Sequence, residues 1–225
     1  MKLSRRSEKL IPSYGLWPFL FAVGLQFLVY FGTRLVAGDW PHMNMQTALD
    51  RAIPFLPWTV VLYVAAFLFW VTNYILAIRQ GEEQAWRILA ADLLGKLVCL
   101  AVFLLLPTTA PRPDIPEAPF AWAMGIIYAA DAPDNLFPSI HCFCSWLCWA
   151  GIRGRKNIPT GYRAFSLVMA LAVGLSTLTT KQHVLADVAA GFALAEVCWQ
   201  ISGRTRLSAW YGAAVKRLSR ETVTP

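Results

Sequence analysis

The sequence predicts an all-α protein, a polytopic membrane helix bundle of about six transmembrane helices. Of its 225 residues, 57% are hydrophobic and only 15% are charged, whereas soluble domains carry about a quarter charged residues. The mean hydropathy is +0.48, and apolar runs of nearly membrane-spanning length recur along the chain. Because no linker separates these runs, we expect a single domain over residues 1–225.

Six segments approach the roughly 20 apolar residues that a helix needs to cross the hydrocarbon core. They comprise residues 14–37, 55–78, 88–106, 139–152, 164–178 and 184–201. Basic residues precede the first segment, as they would in a signal peptide. That apolar run is too long for a signal peptide and no small-residue cleavage site follows it, so we expect a retained first span.

Basic residues fall mainly in alternate connections between these spans. Fifteen of the twenty Lys and Arg fall on one side, whereas the other side has only Arg34, Arg51, Arg112 and Lys181, with Lys96 inside a span. Cytoplasmic loops are enriched in Lys and Arg, so we expect both termini in the cytoplasm, as in a bacterial inner-membrane protein. Short clusters between apolar runs also argue against nucleic-acid binding, despite the net charge of +7. The fifteen are Lys2, Arg5, Arg6, Lys9, Arg79, Arg87, Arg153, Arg155, Lys156, Arg163, Arg204, Arg206, Lys216, Arg217 and Arg220.

Two connections on the opposite side are more than short turns. Residues 39–53 mix apolar and polar side chains, which indicates an interfacial amphipathic helix. Residues 107–137 form a long proline-rich segment, and long ordered loops are often functional. The five cysteines lie in or beside apolar stretches without a metal-binding spacing, so we interpret them as packing residues. They are Cys99, Cys142, Cys144, Cys148 and Cys198.

Only three histidines occur, and the predicted topology brings all of them near the non-cytoplasmic face. His141 begins the fourth span, His183 begins the sixth, and His42 lies in the first outer connection. Arg112 lies between two prolines in the second outer connection. We therefore expect His141, His183 and Arg112 to converge at one membrane surface, whereas His42 alone is typical of a hydrogen-bonded interfacial residue.

These residue types suit chemistry on a phosphate ester. His183 and Asp187 are four residues apart and would share a helix face, so the carboxylate can fix the imidazole tautomer and leave the other nitrogen as a nucleophile. His141 can protonate a departing alkoxide, and the guanidinium of Arg112 matches phosphate oxygens. Further candidate anion-binding residues are Ser139, Ser176 and Lys181.

Three ionisable residues inside the predicted spans need a separate interpretation. Asp92 and Lys96 are also four residues apart, which favours a structural pair that neutralises itself inside the bundle. Glu196 lies deep in the sixth span, and the sequence indicates no role for it.

The motifs together resemble those of the type 2 phosphatidic acid phosphatase (PAP2) superfamily, which also includes vanadium haloperoxidases. That family has Lys, six residues and Arg-Pro, then Pro-Ser-Gly-His, then Ser-Arg, five residues, His, three residues and Asp. The resemblance covers roughly residues 90–200. Matching residues are Arg112, Pro113, Pro138, Ser139, His141, Ser176, His183 and Asp187. The departures are Leu105 for the Lys, Ile140 for the Gly and Thr177 for the Arg, with Lys181 as the nearest replacement cation.

The resemblance implies a reaction that needs no metal and no cofactor. His183 would attack phosphorus to form a phosphohistidine, Asp187 would orient it, and His141 would protonate the departing alcohol. The residues implied to hold the phosphoryl oxygens are Arg112, Ser139, Ser176 and Lys181.

Three functional hypotheses remain open from the sequence. The first is a membrane phosphatase that acts on a lipid phosphate or lipid pyrophosphate at the non-cytoplasmic face. The second is a lipid phosphotransferase, because the lost cations resemble a divergent branch that includes inositol phosphorylceramide synthases. The third is a non-catalytic lipid-binding or carrier protein with the same fold, although the intact histidines and Asp187 argue against it.

Overall fold

The structure, a computed structural model, describes residues 10–221, with side chains to residue 219. Within this range the nine helices are α1 (Ser13–Ala37), α2 (Ala48–Ala52), α3 (Pro57–Ile78), α4 (Glu82–Leu105), α5 (Ala121–Ala130), α6 (Ile140–Ile152), α7 (Thr160–Thr179), α8 (Leu185–Arg204) and α9 (Leu207–Glu221). A π-helical turn, Leu28–Gly32, lies within α1, and a 3₁₀ turn, Pro57–Thr59, begins α3. Lys2, Arg5, Arg6 and Lys9, predicted to be cytoplasmic, lie outside the described residues, as does the side chain of Arg220.

Five of these helices are long and apolar enough to cross a membrane, namely α1, α3, α4, α7 and α8. Together with the near absence of strand in residues 10–221, they confirm the predicted all-α membrane bundle. Helix α4 begins at Glu82 and α7 at Thr160, several residues before the predicted starts, because their first turns are polar and escape a hydropathy pattern. The side of the membrane on which the termini lie stays a prediction.

The predicted fourth span, α6, is shorter than the other five and lies at the centre of the bundle. It has 13 residues, which at 1.5 Å per residue gives about 20 Å, against a hydrocarbon core of about 30 Å. It packs against α3, α4, α7 and α8, and ten of its 13 residues are buried. Because protein encloses α6, irregular backbone can precede it at membrane depth without exposing polar groups to lipid.

The bundle has two chemically different ends. We call one the arginine end, formed by the connections 79–81, 153–159 and 205–206. There, Arg153 forms an ion pair of 2.7 Å with Glu196, and the indole of Trp146 donates to the same carboxylate at 2.9 Å. Glu196 therefore joins the end of α6 to α8. Helix α9, which the sequence did not predict, packs along α4 through an ion pair of 2.6 Å between Lys216 and Glu82.

We call the other the histidine end, formed by the connections 38–56, 106–139 and 180–184. The amphipathic helix expected over residues 39–53 is wrong in extent, because only Ala48–Ala52 is helical there. The two-residue strands β1 (Met43–Asn44) and β2 (Thr108–Thr109) pair in parallel and join the first two connections. The proline-rich segment contains the ten-residue apolar helix α5, which the sequence did not predict.

The ionisable pair inside α4 is satisfied by its surroundings. Lys96 contacts the carboxylate of Asp92 at 2.7 Å and donates to the backbone carbonyl of Ala22 at 2.7 Å. The hydroxyl of Tyr74 donates to Asp92 at 2.5 Å. These contacts agree with the structural interpretation, since each buried charge has an opposite charge and a further hydrogen bond. The pair joins α4 to both α1 and α3.

Helices α6 and α8 approach each other closely at Gly191. A Cβ atom at this position would lie 2.4 Å from the backbone oxygen of Ser139 and 2.9 Å from Cβ of Cys142. Only glycine allows this separation, since the nearest atom belongs to backbone and cannot rotate away. Beside this contact, the N–H of Ser139 donates to the backbone carbonyl of Asp187 at 3.1 Å. The beginnings of α6 and α8 are thereby fixed side by side.

We expect Gly191→Ala to destabilise the protein, because its methyl group would force α6 and α8 apart. Overpacking of this kind costs about 1–3 kcal/mol of unfolding free energy, and it should lower the melting temperature in detergent. The control is Gly161→Ala, where a Cβ atom meets nothing within 4 Å, so the better helix propensity of alanine should preserve or raise stability. Equal melting temperatures for the two variants would contradict the argument.

Candidate active site

Two histidines from distant parts of the chain meet at the histidine end. His141 lies in the first turn of α6, and His183 lies in the connection just before α8. Their ring centroids are 6.1 Å apart. The hydrogen bond from Ser139 to Asp187, described above, holds the two helix starts in this arrangement. A single small anion can therefore contact both rings.

His183 and Asp187 form a pair, although not by sharing a helix face as the sequence predicts. His183 precedes α8, and Asp187 folds back from the first turn so that its Oδ2 lies 3.3 Å from Nδ1 of His183. The same oxygen accepts from the N–H of Val184 at 2.9 Å. With Nδ1 facing the carboxylate, a proton on Nδ1 leaves the Nε2 lone pair available. The Asp187 side chain is fully buried.

Aromatic side chains of α3 surround the imidazole of His141. The Tyr63 ring stacks on it with 4.2 Å between centroids, and Trp70 and Phe67 lie at 5.2 and 5.9 Å. Nε2 of His141 is buried without a hydrogen-bond partner. Tyr63 is six residues past Pro57, the first residue of α3, so His141 lies about 9 Å along this helix from its beginning. The site is thus recessed into the bundle.

Arg112 is held by oxygen atoms and by an aromatic face. Its Nη1 donates to the backbone carbonyl of Asp131, and its Nη2 donates to the side-chain oxygen of Gln182. The guanidinium carbon lies 4.6 Å from the ring centre of Tyr128, which is a cation–π contact. Gln182 directly precedes His183 in the chain, so Arg112 is fastened to the segment that carries this histidine.

Asp131 receives hydrogen bonds from two other helices. The Tyr30 hydroxyl of α1 donates to one carboxylate oxygen, and the Tyr63 hydroxyl of α3 donates to the other at 2.8 Å. Asp134 in the same connection pairs with Arg34 at 3.3 Å. The connection before α6 is therefore tied to the outer half of α1 and to α3.

The remaining predicted anion-binding residues lie differently from what the sequence suggests. Ser139 is the N-cap of α6 and is fully buried, with its Oγ accepting from the N–H of Cys142 at 3.3 Å. The Ser176 hydroxyl donates to the Val173 carbonyl of its own helix at 2.7 Å. None of the four predicted phosphate-binding residues lines the cavity beside the histidines, although Asp131 and Gln182, which accept hydrogen bonds from Arg112, do.

Lys181 is directed toward the first outer connection. Its ammonium donates to the backbone carbonyl of Asp50 at 2.8 Å and to that of Ile53. The carboxylate of Asp50 in turn accepts from the N–H of Leu185, the first residue of α8, at 2.7 Å. Lys181 and Asp50 thus form a clamp that ties the segment between α7 and α8, which contains His183, to the first outer connection.

The Asp50 carboxyl has a pKa below its ordinary value. Burial alone would raise this pKa, but hydrogen bonds from the Thr47 hydroxyl and from the N–H groups of Leu185 and Thr47 outweigh burial, and Lys181 adds a favourable charge. Burial also lowers the pKa of the Lys181 ammonium, while the negative charge of Asp50 acts against that decrease. The clamp therefore keeps its carboxylate ionised at neutral pH.

A largely apolar cavity of about 330 Å³ extends from the two histidines between α1 and α3. His141 and His183 line one part of it, and Tyr74 and Lys96 line a part deeper in the bundle. Several lining side chains are also exposed on the outer surface of the bundle, so the cavity reaches the surface that would face lipid. These side chains are Val23, Phe27, Phe31, Phe67 and Val71.

Sequence reasoning missed three residues that shape this site. Tyr63 lies in an apolar span and gave no motif of its own. Its spacing to Phe67 and Trp70, about one helical turn each, was the available signal, because the three form an aromatic stripe on one face of α3. Asp131 gave no motif, and its position in the proline-rich segment was the only available signal. Gln182, between Lys181 and His183, gave none. Over residues 10–221, no cluster of three His, Cys, Asp or Glu side chains is arranged to hold a metal ion.

The lowered pKa of Asp50 makes the clamp sensitive to acid. Its contribution to stability is present above about pH 4, the ordinary value for an unfolded Asp, and is lost as the pH falls through the lower folded value. We expect Asp50→Asn to lower the melting temperature at pH 7 and to converge with the wild type below pH 4. Asp39→Asn, on an exposed side chain, is the control and should have little effect. A gap for Asp50→Asn that stays constant with pH would oppose this account.

Comparison with known proteins identifies a single family. A sequence model of the PAP2 superfamily matches residues 34–201. This range contains both histidines, Asp187, Arg112 and the aromatic stripe of α3. No curated protein and no solved structure matches the chain.

Proposed function

The chain belongs to the PAP2 superfamily, and from that premise we propose that it is a metal-independent lipid phosphate phosphatase. Family membership and the long apolar helices fit a membrane protein of the phosphatase type. The finer proposal depends on one observation, the 6.1 Å between the ring centroids of His141 and His183 beside an apolar cavity. This spacing suits two imidazoles that act on opposite sides of one phosphorus atom.

In the first step, Nε2 of His183 attacks phosphorus as the bond from phosphorus to the lipid oxygen breaks. Asp187 supports the attack because its carboxylate accepts a hydrogen bond from the Nδ1–H group, which stays on the ring, and stabilises the positive charge that develops there. His141, protonated beside the negative phosphate, gives its proton to the departing oxygen, so the alcohol leaves neutral. The product is a phosphohistidine at His183.

In the second step, a water molecule attacks the phosphohistidine. Neutral His141 takes a proton from this water as the new oxygen–phosphorus bond forms and the nitrogen–phosphorus bond breaks. Inorganic phosphate leaves, His183 returns to its neutral form, and His141 is again protonated. The cycle balances without a metal or an external oxidant.

Arg112 supplies the positive charge that holds the phosphoryl oxygens in this proposal. Its terminal nitrogens donate to the backbone carbonyl oxygen of Asp131 and to the side-chain amide oxygen of Gln182. Both acceptors are uncharged, and a phosphate anion is a stronger acceptor than either. At the positions of the other family cations stand Leu105 and Thr177, and Lys181 is engaged in its clamp. Fewer charges therefore stabilise the transition state, so Arg112 carries more of this task.

The cavity supports a lipid rather than a soluble phosphate ester as the substrate. The histidines are recessed, and the space beside them is lined mainly by apolar side chains that continue to the surface between α1 and α3. A hydrocarbon chain fills such a space favourably, at roughly 25 cal/mol for each Å² of apolar surface buried. A short soluble phosphate ester gains no such free energy.

We expect His183→Ala to abolish phosphate release from lipid phosphates in detergent. Loss of the attacking nitrogen should lower the rate by about 10³-fold or more, and release by the wild type should persist in EDTA. The substrates are a panel of phosphatidate, phosphatidylglycerol phosphate and isoprenyl pyrophosphate, with released phosphate as the readout.

The matched control is His42→Ala, since His42 is a partly exposed histidine of the same end whose Nδ1 contacts the Trp40 carbonyl at 2.6 Å. It should retain wild-type activity. Release by His183→Ala at the wild-type rate would exclude His183 as the nucleophile. Absence of release by the wild type, together with no phosphate trapped on His183 and no vanadate binding, would favour a non-catalytic lipid-binding protein.

Transfer of the phosphoryl group to an alcohol is a second candidate function, and the burial of His183 favours it. Because His183 is only 8% exposed and its surroundings are apolar, water has limited access to a phosphohistidine there. If transfer dominates, adding acceptor alcohols should raise turnover of the lipid phosphate while free phosphate falls in proportion. Phosphate release that is indifferent to every acceptor would leave hydrolysis as the reaction.

A further inference from the structure

Asp131 contacts three parts of the fold that converge on the candidate site. Its two carboxylate oxygens accept from the hydroxyls of Tyr30 and Tyr63, and its backbone carbonyl accepts from Arg112. It directly follows α5 and lines the cavity that contains both histidines. One residue thus contacts α1, α3 and the guanidinium, and no family motif includes it.

The contact with Tyr63 leads directly to His141. Tyr63 is 2% exposed, and its ring stacks on the imidazole with 4.2 Å between centroids and 27° between planes. A hydrogen bond from a phenol to a carboxylate is charge-assisted and stronger than a neutral one. Phe67 and Trp70 also contact His141, but Phe67 has no polar atom and Trp70 is held from elsewhere, by Ser145 at 2.8 Å. Tyr63 is therefore the neighbour whose position depends on Asp131.

We infer that Asp131 is a positioning residue that holds Tyr63 against His141 through its carboxylate and holds Arg112 through its backbone carbonyl. The inference rests on the proposed function, in which His141 transfers the proton and Arg112 binds the phosphoryl group. The side chain serves the proton-transferring ring, and the backbone carbonyl holds the guanidinium in place until the phosphoryl group binds. The two roles can therefore be separated by substitution.

Asp131→Asn separates these roles because it keeps the backbone carbonyl that Arg112 contacts. Asparagine has one side-chain oxygen, so it accepts from only one of the two tyrosines and presents an amide N–H₂ to the other. Looser packing of Tyr63 should misalign His141, and misplacement by about 1 Å can cost about 100-fold in rate. We expect kcat to fall by about 10- to 100-fold while KM changes less than about threefold.

Two further variants test whether the effect passes through Tyr63. Tyr63→Phe should reproduce the fall in kcat, and the double variant should be no slower than the slower single variant, since both remove the same contact. Asp134→Asn is the matched control, because Asp134 lies in the same connection but pairs with Arg34, and its kcat should stay within about twofold. Tyr14→Phe controls for loss of a tyrosine hydroxyl, since Tyr14 donates to the Ile78 carbonyl at the arginine end.

Three kinetic results would overturn the inference. The first is an unchanged kcat in both Asp131→Asn and Tyr63→Phe. The second is a raised KM with kcat unchanged, which would assign the Asp131 side chain to binding. The third is an additive double variant, which would mean that the two residues act separately. Monodisperse elution from size exclusion in detergent shows that each variant is folded, and Tyr63→Phe keeps the test open if Asp131→Asn does not fold.

A readout that needs no turnover separates this inference from the proposed function. Diethyl pyrocarbonate modifies accessible imidazole nitrogens, and mass spectrometry gives the rate at each histidine. Asp131→Asn and Tyr63→Phe should raise the modification rate of His141 several-fold, while His42, which is partly exposed, reacts at the wild-type rate in every variant. An unchanged rate at His141 in both variants refutes the positioning role. A raised rate in a protein without phosphatase activity refutes the proposed function alone.

Discussion

The site depends on the close approach of α6 and α8 at their beginnings. The N–H of Ser139 donates to the backbone carbonyl of Asp187 at 3.1 Å, and Gly191 leaves room for the Ser139 carbonyl where any side chain would collide. Both catalytic candidates lie near this contact, because His141 is two residues after Ser139 and His183 is four residues before Asp187. The contact holds the start of α6, which carries His141, beside the start of α8, which His183 precedes by two residues, and it thereby sets the separation of the two rings.

The shortness of α6 gives the site its depth. A helix of 13 residues that reaches the arginine end cannot also reach the opposite surface, so His141 lies among the aromatic side chains of α3 and not at the rim. The same geometry opens an apolar space between α1 and α3 beside the histidines. Two imidazoles and an apolar space are thereby combined at one place, which fits the proposed reaction on a lipid phosphate.

Polar side chains at the histidine end mostly bind one another. Lys181 and Asp50 join the segment of His183 to the first connection, and Asp131 joins Tyr63 to Arg112. These contacts satisfy buried polar groups, which would otherwise cost several kcal/mol each in a membrane interior. Lys181 is directed toward the first connection, whereas the two partners of Arg112, Asp131 and Gln182, line the cavity beside the histidines, so Arg112 is the better placed of these two cations for a phosphate.

The sequence by itself determined the membrane class, most of the long helices and the convergence of His141, His183 and Arg112 on one end, because hydropathy and motif spacing are properties of contiguous residues. It also determined the pairing of His183 with Asp187, although the pairing arises from a turn before α8 and not from a helix face. Only the tertiary structure decided the depth of α6, the direction of Lys181 and the contacts of Asp131. The partners of these residues are distant in sequence, for example 131 positions between Lys181 and Asp50, and which polar groups meet depends on how closely the helices pack.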